Sequence, residues 1–297
     1  MFTGLSAFPL TPFKNEQIDY AAFERLIVNL KEANVESICA MGSTGLYPYL
    51  NHSEFRKVAA KAVELAGNTP VMVGIGSLRT VDVIKNAEAA QSAGVDAVLL
   101  APMSYHPLTE NEVFNLYQDV TAELSVPLCI YENPGVTNFT FSDSLYRDIT
   151  QLPNVAAIKI PGMPFATAQG VQRLNQLRTI VPKHVAIGVS GDKFGTAGMA
   201  SGCDLWLSVL GGLFPRTVKR LIEASQSNTP EDARLASSKL DDLWTLFANN
   251  RGGLRVMATA ANILGYCEHH CLPAPLTPLD SEQRAILESL LTQLDLD

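Results

Sequence analysis

Residues 128–161 read LCIYENPGVTNFTFSDSLYRDITQLPNVAAIKIP, and the reading of this stretch decides the fold. It opens on an apolar run, Leu128–Tyr131, and closes on another, Ala156–Ile160. Neither run alternates apolar with polar residues, which suits strands covered on both faces, as in a parallel sheet, rather than half-wet antiparallel strands. Between them Ser142 stands where an N-cap is wanted, ahead of Leu145, Tyr146 and Ile149 at helical spacing. The stretch is a strand, a helix and a second strand.

The same unit recurs outward in both directions. Upstream lie Gly4–Phe8, Ser37–Ala40, Val71–Ile75 and Ala97–Leu100, and downstream lie Val185–Val189 and Leu205–Leu210, making eight strand-length apolar runs in all. Helical patterns fill the gaps. Asp19 precedes Ala21–Ala33, which carries Phe23, Leu26, Ile27 and Leu30 on one face, and Thr109 with Glu112 forms a capping box before Val113, Leu116, Tyr117 and Val120. Turn chemistry such as Gly67-Asn68-Thr69-Pro70 or Ala93-Gly94-Val95-Asp96 then leads into the next strand. Eight such units predict a closed (β/α)8 TIM barrel, with an open doubly wound sheet as the alternative. Past Pro215 the strand signal stops, and Val218–Ala224, Pro230–Ala248, Arg255–Leu264 and Ser281–Leu294 read as helices. The expected division is a barrel over residues 1–225 and a helical extension over 226–297 packed on it.

Composition agrees with a packed globular chain: 47% of the 297 residues are hydrophobic and 18% charged. A net charge of −8 leaves no basic stripe for phosphates, so nucleic acid and anionic membrane are poor partners and a small polar substrate is favoured. Met1–Leu10 has no basic residue ahead of an apolar stretch, and no run approaches membrane-spanning length, which together with five cysteines, Cys39 and Cys129 among them in apolar runs, predicts a cytoplasmic protein. Cys267 and Cys271 bracket His269 and His270. Such a grouping can ligate zinc, but no second cysteine pair at finger spacing supports it, and exposed histidines at a helix end are the favoured account.

In a barrel of this kind the chemistry sits at the C-terminal ends of the strands. Those ends read Gly42-Ser43-Thr44-Gly45, Tyr131-Glu132-Asn133-Pro134, Ile158-Lys159-Ile160-Pro161 and Ser190-Gly191-Asp192. Lys159 must emerge from an apolar strand, and desolvation is one way to keep an amine neutral enough to attack a carbonyl. A strand-end lysine also snorkels to solvent. Tyr131 ends the preceding strand, where it is either a core aromatic or a phenol within reach of the lysine, able to shuttle protons. The Gly42–Gly45 turn offers backbone N–H groups and two hydroxyls, suited to a carboxylate or simply to a tight turn.

Taken in order and spacing, Leu10-Thr11-Pro12-Phe13, Gly42-Ser43-Thr44-Gly45, Val73-Gly74-Ile75-Gly76-Ser77, Gly94-Val95-Asp96-Ala97, Tyr131-Glu132-Asn133-Pro134 and Ile158-Lys159 make the chain resemble the dihydrodipicolinate synthase and N-acetylneuraminate lyase superfamily of class I aldolases over nearly its full length. The resemblance implies Lys159 as the Schiff-base lysine, Tyr131 as the proton shuttle, Ser43 and Thr44 as binders of the pyruvate carboxylate, and Thr44 also as a proton relay. Tyr105, Gly191 and Leu207 complete the expected substrate-binding set. It further implies no metal, no organic cofactor and a homotetramer built as a dimer of dimers.

Departures from the family pattern carry information too. Leu46 follows the Gly42–Gly45 turn where glutamate is common, and Val136 stands where true synthases place an arginine for the carboxylate of aspartate semialdehyde. Ser104 falls where a neighbouring subunit's tyrosine is usual, with Tyr105 one residue later. Asn249-Asn250-Arg251-Gly252-Gly253 replaces an Asn-Pro-x-Pro stretch, leaving Arg251 and Arg255 as possible substitutes at the mouth, and Lys193 is either solvated or faces a substrate tail. The reading expected is a Schiff-base lyase acting on pyruvate or a 2-keto-3-deoxy sugar acid, by aldol chemistry or dehydration. A genuine 4-hydroxy-tetrahydrodipicolinate synthase is the alternative, and a noncatalytic keto-acid-binding protein is the reading from another class.

Overall fold

The computed structural model describes residues 1–227 and 230–297. Eight parallel strands close on themselves: β1 (Gly4–Ala7), β2 (Ser37–Ala40), β3 (Val71–Gly74), β4 (Ala97–Leu100), β5 (Leu128–Tyr131), β6 (Val155–Pro161), β7 (Ala186–Ser190) and β8 (Leu205–Ser208). Closure is direct, since Gly4–Ala7 pairs with Leu205–Ser208 on one side while Ser6 and Ala7 pair with Ser37 and Ile38 on the other. That removes the open-sheet alternative. A two-stranded hairpin, Phe13–Lys14 with Gln17–Ile18, follows β1 and had no signal in the sequence pattern.

Local chemistry sets the helices where the caps predict. Asp19 accepts from the Ala22 amide ahead of α1 (Tyr20–Glu32), and Asn51 with Glu54 closes a capping box on α2 (His52–Ala66). After α3 (Thr80–Ala93), Thr109 with Glu112 closes another box on α4 (Glu110–Ala122), and Ser142 caps α5 (Asp143–Ile149). Each such cap satisfies a helix N–H that has no partner within its own helix, and is worth about 1 kcal/mol. The barrel is completed by α6 (Gln169–Ile180), α7 (Gly195–Ala200) and α8 (Pro215–Ser227).

Downstream, the single helix expected over Pro230–Ala248 is two, α9 (Pro230–Ser238) and α10 (Asp241–Asn249), because the chain turns at Lys239 and Leu240. Leu240, at the turn, and Leu243, in the second helix, are both buried in the core. They are followed by α11 (Gly253–Ile263) and α12 (Ser281–Leu294). Their buried side chains, Leu246, Val256, Met257 and Leu287, belong to the same core cluster as those between the barrel and its helices.

Two apolar layers result. The larger lies between strands and helices, and the smaller fills the barrel with Phe8, Cys39, Met72, Leu99, Cys129, Ala157, Leu205 and Leu207. At the N-terminal face of the barrel, carboxylates secure strand starts: Glu36 accepts from Leu5 N (2.9 Å), Asp96 from Val71 N (2.8 Å) and Asp204 from Ile187 N (2.7 Å). Ion pairs of Arg178 with Asp204 and Lys219 with Glu36 hold two of these carboxylates in turn. That face serves stability, and it leaves the opposite one for chemistry.

Candidate active site

Strand register builds the site. Tyr131 of β5 lies opposite Lys159 of β6, which lies opposite Gly188 of β7, and Gly188 lies opposite Leu205 of β8. Register partners in a parallel sheet share a face, so Tyr131 and Lys159 project together into the barrel. A side chain at Gly188 would put its Cβ 2.3 Å from Leu207 Cδ1, so a bare backbone at that position is what lets Leu205 and Leu207 fill the floor.

Lys159 is almost wholly enclosed, and its Nζ stands 3.9 Å from the centre of the Phe8 ring and 4.0 Å from that of Tyr131. No ion pair reaches it among the described residues. Two aromatic faces hold the amine instead, each worth roughly 0.5–2 kcal/mol to its ammonium form. Snorkelling is thus not what this lysine does. The neighbouring thiols feel the same enclosure: burial pushes the Cys129 thiol up to about 12 and raises that of Cys39 further still, so both remain uncharged filler beneath the amine.

The Tyr131 hydroxyl is positioned by two polar side chains. Asn133 Nδ2 donates to it at 2.8 Å, and Ser43 Oγ lies 3.5 Å away. Asn133 was not among the candidates read from sequence; only its place two residues past Tyr131, at the start of the helical turn Pro134–Thr137, hinted at a role. With the amide donating, the phenolic hydrogen is left free for another acceptor. Between the two hydroxyls of the Gly42–Gly45 turn, Ser43 is therefore the one near Tyr131, while Thr44 is buried beside it with no hydrogen bond to Tyr131. Gly45 has no room for a side chain, whose Cβ would fall 2.6 Å from Met41 N.

The remaining candidates are more scattered. Leu207 lies in the barrel floor. Gly191 follows β7 with a left-handed φ of 83° and turns the chain so that Asp192 points inward. There the Asp192 carboxylate accepts from Trp206 Nε1 (3.0 Å), Ser208 Oγ (2.6 Å) and Leu210 N (2.9 Å), tying the end of β7 to the end of β8. Burial raises its pKa, with the three donors and Lys159 opposing that rise. Tyr105 is 87% exposed with its ring against His106, so within one chain it stands outside the cluster. Val136 is exposed on the Pro134–Thr137 turn.

The cysteine and histidine group near the C-terminus does not converge. Cys267 and Cys271 are buried with both thiols on the Ala258 carbonyl, at 4.0 and 3.6 Å, whereas His269 and His270 are exposed. No cluster of metal-ligating side chains occurs among the described residues.

Residues 1–294 match the model of the dihydrodipicolinate synthetase family. The chain belongs to that family. Its fold superposes on a dihydrodipicolinate synthase from Agrobacterium tumefaciens with a TM-score of 0.93 at 40% identity, covering 99% of this chain and 98% of the other. The synthase of Aquifex aeolicus gives a TM-score of 0.89 at 26% identity over 100% and 99% of the two chains. A 4-hydroxy-tetrahydrodipicolinate synthase from Rickettsia typhi is 27% identical over 297 residues, covering 100% of this chain and 98% of the relative. Membership in this family makes the chain a class I, Schiff-base-forming lyase. No helix among the described residues is long and apolar enough to cross a membrane.

Proposed function

We propose that this chain cleaves or forms a 2-keto-3-deoxy sugar acid through a Schiff base on Lys159, with pyruvate as the keto-acid half. The observation that carries the reading is the pairing of Tyr131 with Lys159 in register, Nζ being 4.0 Å from the ring whose hydroxyl Asn133 holds. In the cleavage direction the Lys159 amine adds to the keto carbon and water leaves, giving an iminium. Tyr131 gives its phenolic proton to the departing hydroxyl of the carbinolamine and, as the phenolate, then takes the proton of the C4 hydroxyl; the C3–C4 bond breaks, its electron pair forms the C2–C3 double bond of an enamine as the iminium nitrogen is neutralised, and the aldehyde departs. Protonation at C3 and hydrolysis by water then release pyruvate and the free amine. Ser43 and Thr44, with the backbone N–H groups of their turn, take the carboxylate, and Gly191 and Leu207 complete the substrate-binding set.

A second reading, condensation of pyruvate with aspartate semialdehyde, is favoured by the activity named for the relatives. Against it stands Val136, an aliphatic side chain where that substrate's carboxylate needs a cation. The assembly that fits is a cytoplasmic homotetramer. Exposed Tyr49, Leu78, Val81 and Tyr105 near the barrel mouth, and Met163, Val171 and Leu235 farther round, offer apolar surface for two kinds of contact, and five free thiols suit a reducing compartment.

Trapping tests the reading. With pyruvate and borohydride the protein is expected to gain one reduced adduct per chain, mapped to Lys159 by peptide mass analysis. An unmodified Lys159 removes both enzymatic readings. A screen of 2-keto-3-deoxy sugar acids for pyruvate release then separates the first from the second.

A further inference from the structure

The residue after the Gly42–Gly45 turn, Leu46, has a left-handed φ of 63°. For a non-glycine residue that conformation is costly and persists only where surroundings impose it, as the complete burial of Leu46 does here. Its consequence is the placement of Tyr47. The ring of Tyr47 lies across bare backbone at the C-terminal end of β3: a Cβ on Gly76 would stand 2.7 Å from Tyr47 Cε2 and 3.3 Å from its hydroxyl, and one on Gly74 3.6 Å from Cδ1. Gly76 therefore leaves the space this ring occupies at the barrel rim, while Gly74 is kept bare by the Met41 carbonyl, 2.2 Å from where its Cβ would stand.

Tyr47 is only 8% exposed, yet its hydroxyl has no hydrogen-bond partner among the described residues. Among the described residues the sealed polar side-chain atoms without a partner are Ser6 Oγ and Thr11 Oγ1, so the Tyr47 hydroxyl, which is not one of them, still opens to solvent. A buried phenol normally finds a partner inside the protein. This one faces the rim instead. Burial and the nearby Tyr131 phenol both raise its pKa, which keeps it a hydrogen-bond donor at neutral pH.

We propose that Tyr47 is a specificity-determining residue, whose hydroxyl donates to a hydroxyl group on the aldehyde-derived half of the substrate from the same chain that carries Lys159. The assignment rests on the 2-keto-3-deoxy acid reading given above. Chemistry at the rim favours a neutral hydroxylated partner over an anionic one, because Ser43, Thr44, Tyr47, Tyr131 and Asn133 contribute hydroxyls and an amide but no cation. A site built to bond a hydroxyl also discriminates strongly against the analogue without it, since the donor is then left unpaired.

The experiment compares two aldehydes condensed with pyruvate, glyceraldehyde and propionaldehyde, which differ by hydroxyls on the carbons beyond the carbonyl. In Tyr47→Phe the ratio of kcat/KM for glyceraldehyde to that for propionaldehyde is expected to fall by roughly 10- to 100-fold. Borohydride trapping of pyruvate on Lys159 is run in parallel on wild type and variant. Trapping in both with an unchanged ratio, whether neither aldehyde is affected or both fall together, overturns the assignment of Tyr47 alone. Failure of trapping in the wild type overturns the proposed function and Tyr47's role with it.

Discussion

Replacing Tyr131 by phenylalanine isolates its hydroxyl. The ring stays, so the face 4.0 Å from Lys159 Nζ and the packing of a residue only 7% exposed are both kept, and the fold is expected to survive. What goes is the group proposed to move protons, a loss of about 10²–10⁴ in turnover, equivalent to about 3–5 kcal/mol in the barrier. Asn133→Ala removes the 2.8 Å amide donor to that hydroxyl. One neutral hydrogen bond contributes about 0.5–1.5 kcal/mol, so this variant should lose roughly 2- to 10-fold. If Asn133 acts only through Tyr131, the two losses must not add: the double variant should turn over no more slowly than Tyr131→Phe alone. Turnover is followed as pyruvate released from a 2-keto-3-deoxy acid, with denaturant unfolding of all four proteins to exclude a folding defect. A further 2- to 10-fold loss from Asn133→Ala in the phenylalanine background would refute the coupling and place the amide on substrate directly. Near-normal turnover of Tyr131→Phe would reduce Tyr131 to a packing residue.

Other expectations are more compact. Asp192→Ala strips the acceptor from three buried donors, and should cost about 2–5 kcal/mol in equilibrium unfolding; a loss below ~1 kcal/mol would show that the loops after β7 and β8 do not depend on it. Because burial raises the Asp192 pKa above its ordinary 3.8, the folded protein holds that proton more tightly than the unfolded chain. Its contribution to stability is complete below about pH 3.8 and is lost as pH rises through the folded-state pKa, so the stability of Asp192→Asn should gain on wild type over that rise, a trend read from urea midpoints at stepped pH. Gly188→Val drives a side chain into Leu205 and Leu207, with an expected cost of about 1–3 kcal/mol and slowed trapping at Lys159. Wild type should show little condensation of pyruvate with aspartate semialdehyde, and Val136→Arg should raise it by roughly 30-fold or more if a charged contact worth about 2–5 kcal/mol is what is missing; wild-type kcat/KM on the order of 10⁴ M⁻¹s⁻¹ would instead establish the synthase reading.

The strands and most of the helices were legible in the amino-acid sequence alone. Apolar runs such as Val71–Gly74 or Ala97–Leu100 are bounded by turns and are of strand rather than helix length, and the caps at Asp19, Thr109 and Ser142 act within a few residues of themselves. Lys159 and Tyr131 end apolar strands, where each taken alone reads as a snorkelling lysine or a core aromatic, and their place in the ordered motifs of the family is what made them candidates. Only the tertiary structure decided what those side chains meet. Register across β5, β6 and β7 aligns Tyr131, Lys159 and Gly188, and a slip of one residue would turn Lys159 away from the barrel, yet nothing within any one strand encodes its register with the next. Phe8 reaches the Lys159 amine because β1 closes the barrel, a contact between residues 151 positions apart in sequence. Ser43 and not Thr44 lies near the Tyr131 hydroxyl because adjacent turn residues point different ways, and Tyr47 comes to the rim because Leu46 is held at positive φ. These are consequences of backbone direction imposed by the packed barrel, and side-chain identity alone carries no direction.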